Sequence, residues 1–189
     1  MGSTSEIKKG LTIDFNNDIY TIVEFLHVKP GKGSAFVRTK LKSLTTGRVL
    51  ENTFPSGAKI DIVRVERRNY QYLYREGNYF VMMDNESYEQ IYVDQAKVPN
   101  PQFIKENDYV EILFNTDKED DILAVEPPAT VVLTVTYTEP GIKGDTATNT
   151  LKPATMEGGA EVRVPLFVNI GDRIKISTED GTYMERAKE

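Results

Sequence analysis

Residues 12–23 have the sequence TIDFNNDIYTIV, in which apolar and polar side chains alternate on both sides of Asn16-Asn17-Asp18. Alternation with a period of two is typical of a β-strand that has one buried face. Asn and Asp tolerate the left-handed backbone conformation that a tight hairpin turn requires. The sequence therefore predicts a β-hairpin whose strands lie at residues 12–15 and 19–23.

The same pattern recurs along the chain, interrupted by turns rich in Gly, Pro, Asn and Thr. It predicts further strands at residues 25–28, 35–41, 48–54, 60–65, 68–74, 79–83 and 131–137. Short strands with regularly spaced turns favour small barrels or sandwiches, so we predict an all-β protein. We expect one short helix within residues 88–97, ended by Pro99 and Pro101.

A change in charge and a Pro-Pro pair predict that the chain divides into three domains, at residues 1–65, 66–129 and 130–189. A basic segment meets an acidic one near Val65-Glu66, and Pro127-Pro128 forms a stiff joint that does not fit a central strand. The net charge of the 189 residues is −6, but the three segments carry +4, −8 and −2. Positive charge in the first domain favours contact with nucleic-acid phosphates, although a chance distribution of surface charges explains the count equally well.

The composition excludes several kinds of chemistry. The chain contains no Cys and a single His, His27, so it has no thiolate zinc site, Cys nucleophile or His-based metal site. An acidic run at residues 117–121 fails as a calcium loop, because Ile122 follows where Gly is required. Residues 1–10 lack the charged-then-apolar pattern of a signal peptide, and no stretch approaches the roughly 20 apolar residues of a membrane span, so we expect a cytoplasmic protein. We expect neither an enzyme nor a cofactor.

The most distinctive turn is KPGKGS, residues 29–34. Pro30 stiffens it, and Gly31 and Gly33 permit a positive φ on either side of Lys32, which we expect at a hairpin tip. Further positive charge near the tip comes from Lys29, Arg38, Lys40 and Lys42. The turn lacks the Gly and Ser or Thr spacing of a P-loop. On spacing alone, an ordinary solvent-exposed turn is the commoner explanation.

A second long loop, residues 140–155, has the sequence PGIKGDTATNTLKPAT. It is polar and lies between two predicted strands of the last domain. Loops in this position bind oligonucleotides in small barrels, whereas the Gly and Pro content is equally typical of a flexible connector. Composition does not decide between these two interpretations.

Three blocks of the chain resemble the bacterial translation elongation factor P family. They are HVKPGKGSAFVRTKLKSLTTG (27–47), QYLYREGNYFVMMDNESYEQ (71–90) and EPGIKGDTATNTLKPATMEGGAEVRVPLFVNIGDRIKISTEDGTYMERA (139–187). The most specific is the third, in which KPAT is followed by a Gly-containing turn, VPLF and GD. The blocks occur in the family's order and cover essentially the whole chain.

The resemblance implies three small β-barrels, an SH3-like (KOW-like) domain followed by two OB folds, in an L-shaped arrangement that mimics tRNA. It further implies a monomeric, non-enzymatic factor that binds the ribosome between the peptidyl-tRNA and exit sites. Such a factor relieves stalling at consecutive prolines by positioning the acceptor end of the peptidyl-tRNA.

The resemblance also implies roles for particular residues. A lysine-modifying enzyme would extend Lys32, whose tip loop also contains Lys29, Pro30, Gly31, Gly33 and Ser34. The tRNA phosphates would be contacted by Arg38, Lys40 and Lys42. The mRNA codon in the exit site would be read by Gly144, Asp145 and Thr146. Residues 148–151 differ from some relatives and residues 157–159 from many, and these departures bear only on the codon-loop assignment.

Two other interpretations of the sequence remain open. One is an elongation-factor-P-like paralogue with a different loop chemistry. The other is a general OB-type protein for single-stranded nucleic acid, in which Tyr70, Tyr72 and Tyr74 share one strand face and stack on bases. The stacking face would have to be exposed and basic, whereas these tyrosines belong to the −8 segment.

Overall fold

The computed structural model describes residues 1–141 and 150–187, whose strands form three antiparallel sheets. This arrangement confirms the all-β prediction. The helical segments in the described residues are single 3₁₀ turns at Thr4–Glu6, Gln95–Lys97 and Pro101–Phe103. No helix in this part of the chain is long and apolar enough to cross a membrane.

The first sheet has six strands in the order β1-β6-β2-β3-β4-β5. They are β1 (Gly2–Ser3), β2 (Thr12–Phe15), β3 (Asp18–Val28), β4 (Phe36–Ser43), β5 (Val49–Pro55) and β6 (Lys59–Ile62). The hairpin predicted at residues 12–23 is confirmed, since Phe15 pairs with Asp18 across a two-residue turn. Asn16 and Asn17 occupy that turn with φ angles of 50° and 61°.

The second sheet has the order β11-β10-β7-β8-β9. Its strands are β7 (Val65–Glu76), β8 (Tyr79–Asp84), β9 (Gln90–Asp94), β10 (Tyr109–Asn115) and β11 (Asp121–Glu126). The helix predicted within residues 88–97 is wrong. Ile91 and Val93 face the core and β9 pairs with β8, so the segment forms a strand. The Asp94 side chain then accepts a hydrogen bond from the Ala96 amide and begins one 3₁₀ turn.

The third sheet has the order β14-β13-β12-β15-β16. Its strands are β12 (Thr130–Thr138), β13 (Leu151–Met156), β14 (Glu161–Pro165), β15 (Arg173–Ser177) and β16 (Tyr183–Arg186). The strands change from the first sheet to the second between Ile62 and Val65, and from the second to the third between Glu126 and Thr130.

Each sheet packs around its own apolar core, but one side chain crosses between two of them. Phe103 follows Asn100 in the second segment, yet its ring is buried in the third core. A Cβ atom at Gly181 would lie only 2.9 Å from the Phe103 Cζ atom, so this close approach requires glycine. Asn100 strengthens the junction by donating a hydrogen bond to the Thr178 carbonyl at 3.0 Å.

Candidate functional site

The candidate site lies on the long hairpin formed by β3 and β4. Their pairing runs from Tyr20 opposite Ser43 to Val28 opposite Phe36, with an irregularity between Ile22 and Glu24. The other edge of β4 pairs with β5 along its length, from Phe36 opposite Pro55 to Lys42 opposite Val49. The loop at residues 29–35 is therefore carried by strands that are anchored in the first sheet.

Side-chain alternation on β4 separates core residues from cationic ones. Core-facing positions are Val37, Thr39, Leu41 and Ser43, all of them buried. The intervening positions are Arg38, Lys40 and Lys42, so the three predicted phosphate contacts share the opposite face of the strand. The period-two alternation of a strand accounts for this separation.

Lys32 is exposed at the tip, between Gly31 and Gly33. Of the two glycines that permit a positive φ, Gly33 adopts one at +110° and Gly31 does not. One left-handed residue is enough to complete this turn. Residues 29–34 make no hydrogen bond to any other residue that the structure describes. Lys32 and the two glycines beside it are therefore accessible to a partner.

Ion pairs divide the cations of the hairpin into two groups. Lys40 Nζ lies 2.7 Å from Glu24 Oε2 on the neighbouring strand, and their hydrogen bond and attraction lower the pKa of Glu24 and raise that of Lys40. Lys42 Nζ lies 3.2 Å from Glu179 Oε1, in a turn of the third sheet. The cations without an ion-pair partner among the described residues are Lys29, Lys32 and Arg38.

Sequence reasoning missed an apolar patch beside the tip. Phe25 is 40% exposed and Leu26 is 58% exposed near the end of β3. His27 is also exposed, with its ring centroid 5.6 Å from that of Phe25 in an edge-to-face arrangement. The available signal was the break in alternation at Phe25-Leu26, where two apolar side chains occupy consecutive strand positions.

The predicted codon-reading residues, Gly144, Asp145 and Thr146, lie outside the described residues. The described ends of their loop are held closely. Lys152 is buried and its Nζ atom donates to the Glu139 carbonyl at 2.6 Å. A Cβ atom at Gly141 would lie 2.6 Å from the Leu166 carbonyl oxygen, so the chain passes too close to Leu166 for any other residue.

The strand face on which Tyr70, Tyr72 and Tyr74 were expected to stack on bases is not formed. Tyr70 and Tyr72 are buried in the second core, with 5% and 6% of their surface exposed. The register of β7 shifts between Tyr72 and Tyr74, which turns Tyr74 toward solvent instead. The prediction that the three rings share one face is wrong, because an irregularity in the strand changes the alternation.

The acidic run after β10 serves in structural contacts. Asp117 accepts a hydrogen bond from the Arg64 amide at 3.0 Å, and Asp120 pairs with Arg68 at 2.9 Å. Among the described residues there is no group of three or more His, Cys, Asp or Glu side chains that could hold a metal ion.

Family models match the three parts of the chain in order. The Elongation factor P (EF-P) KOW-like domain matches residues 3–60, and the Elongation factor P (EF-P) OB domain matches residues 65–122. The model of the elongation factor P C-terminal domain matches residues 131–186. Each match contains most strands of one of the three sheets.

Relatives match over their whole length. Elongation factor P of Flavobacterium psychrophilum is 58% identical over 188 residues and that of Flavobacterium johnsoniae 58% over 189, with 100% of both chains covered in each case. Elongation factor P of Desulfitobacterium hafniense is 51% identical over 188 residues, covering 99% of this chain and 100% of the relative. The chain therefore belongs to the elongation factor P family of translation elongation factors.

Proposed function

We propose that this chain binds the ribosome between the peptidyl-tRNA and exit sites and speeds peptide-bond formation at consecutive prolines. Proline reacts poorly because its ring fixes φ and restricts the paths open to the nascent peptide. A bound factor can accelerate such a step by holding the reactants in a productive geometry, without an acid, base or nucleophile of its own. Family membership and the β3–β4 tip support this proposal.

The observation that carries the proposal is the exposure of Lys32 on a tip whose residues 29–34 make no hydrogen bond to other described residues. A lysine-modifying enzyme needs an accessible amine and a backbone that yields to its active site. A long cationic side chain can then contact sugar and phosphate oxygens at the tRNA acceptor end without reading bases. In this role Lys32 positions the acceptor end and takes no part in the chemistry.

The cations behind Lys32 would contact tRNA phosphates in two stages. Lys29 and Arg38 are without ion-pair partners among the described residues and are available at once. Lys40 and Lys42 must exchange Glu24 and Glu179 for phosphate oxygens. Exposed ion pairs of this kind contribute little stability, so the exchange costs little.

The remaining parts of the proposal concern the whole chain. Gly144, Asp145 and Thr146 would contact the exit-site codon of the mRNA, supported by the family assignment of the third domain and by the fixed ends of their loop. The protein would work in the cytoplasm as a monomer, with its three domains, 1–65, 66–129 and 130–189, in a tRNA-like L shape.

The test replaces Lys32 with Met in cells that lack the native copy and carry a reporter with a run of prolines. We expect Lys32→Met to lose rescue of the reporter, while Lys59→Met, which changes an exposed lysine on β6, keeps it. Both variants should melt at the wild-type temperature because a loop tip buries little surface. Full rescue by Lys32→Met would reject the proposed role of the tip.

The intact mass of protein purified from its native source tests the modification separately. An increase in mass that disappears in Lys32→Met would support extension of this lysine. An unmodified mass together with normal rescue would reject the modifying enzyme while leaving the ribosomal function in place.

A further inference from the structure

Three exposed tyrosines form a cluster on the outer face of the second sheet. Tyr74, Tyr79 and Tyr92 are 42%, 47% and 56% exposed. Val81 of β8 pairs with Tyr74 on one side and Tyr92 on the other, and Tyr79 lies two residues before it. The neighbours of Val81 along β8 face the second core, so Val81 itself faces outward, yet it is completely buried. On this face Val81 is flanked by Tyr74 and Tyr92, and the Tyr92 ring lies edge-to-face with that of Tyr79 at 6.4 Å.

Two carboxylates border this cluster. In the strand register Tyr79 lies between Glu76 of β7 and Asp94 of β9. The negative charge of Glu76 raises the pKa of the Tyr92 hydroxyl, which indicates that the two groups lie close together. Neither Glu76 nor Asp94 forms an ion pair within the described part of the chain.

The lack of cationic partners at this face contrasts with the rest of the same sheet. Arg68 pairs with both Glu66 and Asp120 at 2.9 Å, and Arg67 lies 3.5 Å from Glu126. Arg75, adjacent to the cluster in sequence, donates to the Gly77 carbonyl and to Gln95 and stacks over the Phe80 ring on the other face. These three arginines of the second sheet therefore bind elsewhere and do not neutralise the carboxylates of the cluster.

We propose that Tyr74, Glu76, Tyr79, Tyr92 and Asp94, here called the tyrosine face, dock a basic segment of a partner protein through its arginines. A guanidinium group stacks on tyrosine rings and forms paired hydrogen bonds with carboxylates, and the tyrosine face offers both partners together. Tyrosine is also enriched at the centres of protein interfaces, where it buries a large surface at low entropic cost.

The negative charge of the second segment favours a basic polypeptide over nucleic acid as the partner of the tyrosine face. Exposed tyrosines could stack on bases, but the second segment has a net charge of −8 and the two carboxylates lie beside the rings. Phosphates would be repelled there, whereas a basic polypeptide is attracted. This docking surface goes beyond the proposed function, because it adds a protein contact in a domain that does not carry the Lys32 tip.

The test measures binding of a fluorescent peptide of alternating arginine and glycine to the full chain. We expect the double variant Tyr79→Thr/Tyr92→Thr to weaken binding about tenfold, since each ring contributes a cation–π contact. Threonine keeps the strand preference of the sheet. The matched control is Tyr109→Thr, which removes a 61%-exposed tyrosine at the start of β10 outside the cluster and should change affinity less than about twofold.

A second variant keeps the test valid if the tyrosine changes unfold the domain. Glu76→Gln/Asp94→Asn removes two charges at constant shape and should also weaken peptide binding about tenfold. A peptide of alternating lysine and glycine should bind more weakly than the arginine peptide, because lysine lacks the planar stacking group. Equal affinities for the two peptides, or equal effects of the Tyr79/Tyr92 and Tyr109 variants, would overturn the proposal.

The other possible occupants have their own readouts. A single-stranded RNA oligonucleotide that competes with the peptide, and whose binding is lost in Tyr79→Thr/Tyr92→Thr, would assign the face to nucleic acid. Concentration-dependent dimerisation in sedimentation that the same variant abolishes would assign it to a second copy of the chain. Either result would replace the proposed partner. Neither measurement depends on Lys32, so failure here leaves the ribosomal proposal unaffected.

Discussion

Residues 29–35 join β3 to β4, and residues 85–89 join β8 to β9. Each loop connects two antiparallel strands, and each contains one residue with a positive φ. In the first loop that position is Gly33, at +110°, where glycine carries little strain. In the second it is Tyr88, at +61°, a bulky side chain in a conformation that non-glycine residues rarely adopt.

The two loops also differ in how they are held. Residues 29–34 make no hydrogen bond to another described residue. In the second loop, the Asp84 carboxylate accepts hydrogen bonds from the Glu86 and Ser87 amides at 2.7 and 2.9 Å. The Tyr88 amide donates to the Asp84 carbonyl at 3.0 Å.

The difference indicates two uses of a hairpin tip. An unbonded basic loop can adapt to an RNA surface and can admit an enzyme to its lysine. A bonded acidic loop keeps one shape and presents Tyr88, 72% exposed, at a fixed position despite the backbone strain. The proposed functions of the two domains follow this division, with RNA contact at the first loop and protein contact on the sheet that carries the second.

The largest effect is expected from Asp84→Ala, which removes the acceptor of two loop amides. Hydrogen exchange at the Glu86 and Ser87 amides should accelerate roughly tenfold or more. In wild type the loop must break these hydrogen bonds before the amides can exchange, and in the variant the bonds are absent. NMR exchange rates at each amide measure this. Glu89→Ala changes an exposed carboxylate in the same loop and should leave both rates unchanged. Unaltered rates in Asp84→Ala would show that the loop is not held by this carboxylate.

Acid should have the same effect as the Asp84→Ala variant. The Ser87 and Glu86 amides lower the pKa of Asp84 below its ordinary value, because they stabilise the charged carboxylate. A depressed folded-state pKa contributes stability above the unfolded-state pKa, and this stability is lost as the pH falls through the folded-state pKa. The exchange rates of wild type and Asp84→Ala should therefore converge as the pH falls through that range.

Turn chemistry made the hairpins predictable from the sequence. Asn16-Asn17 favours a tight left-handed turn and forms one, and the strand predicted at residues 35–41 corresponds to β4 at Phe36–Ser43. The turn that carries Lys32 was predictable for the same reason, because Pro30, Gly31 and Gly33 surround this lysine and Pro and Gly favour turns. The roles of the tip came from family resemblance, because spacing alone does not distinguish it from an ordinary turn.

Features set by tertiary contacts were not predictable. Residues 88–97 lack Gly and Pro and are compatible with either a helix or a strand. The segment becomes strand β9 because it pairs with β8, a contact that the local sequence does not indicate. The irregularity between Tyr72 and Tyr74 moves one ring to the opposite face without any local signal. Phe103 packs into the core of the third sheet, although the pattern of apolar residues around it does not indicate this contact.

The next largest effect tests the open loop. Lys29→Gln/Arg38→Gln should weaken ribosome binding about tenfold and reduce the slope of log affinity against log salt by about two, since two phosphate contacts are lost. The matched control is Arg75→Gln, whose guanidinium group is already bonded within the second sheet and should leave the slope unchanged. A slope equal to that of wild type in the double variant would contradict phosphate contact by these cations.

Tyr88→Gly tests the strain in the bonded loop. Glycine relieves the left-handed strain of about 1–3 kcal/mol but adds backbone entropy to the unfolded chain, so we expect a net gain of about 1 kcal/mol in unfolding free energy. Little packing is lost because the ring is 72% exposed. Denaturant unfolding measures the change, and Tyr88→Asn should give part of the gain, since Asn tolerates this conformation. A loss of stability in both variants would mean that the Tyr88 backbone is unstrained.

The smallest effect is expected from Gly33→Ala, where the same backbone argument gives the opposite result. A φ of +110° is unfavourable for alanine, but no hydrogen bond fixes it, and an added Cβ would meet only Pro30 Cγ at 3.8 Å. The loop can therefore move to an allowed φ at a cost below about 0.5 kcal/mol. The matched control is Gly171→Ala, at a φ of +88° with an equally open surround, but with its amide bonded to the Val135 carbonyl at 2.8 Å. That hydrogen bond resists the same movement, so Gly171→Ala should lower the free energy of unfolding by about 1 kcal/mol or more. Equal losses in Gly33→Ala and Gly171→Ala would contradict the distinction between open and bonded loops.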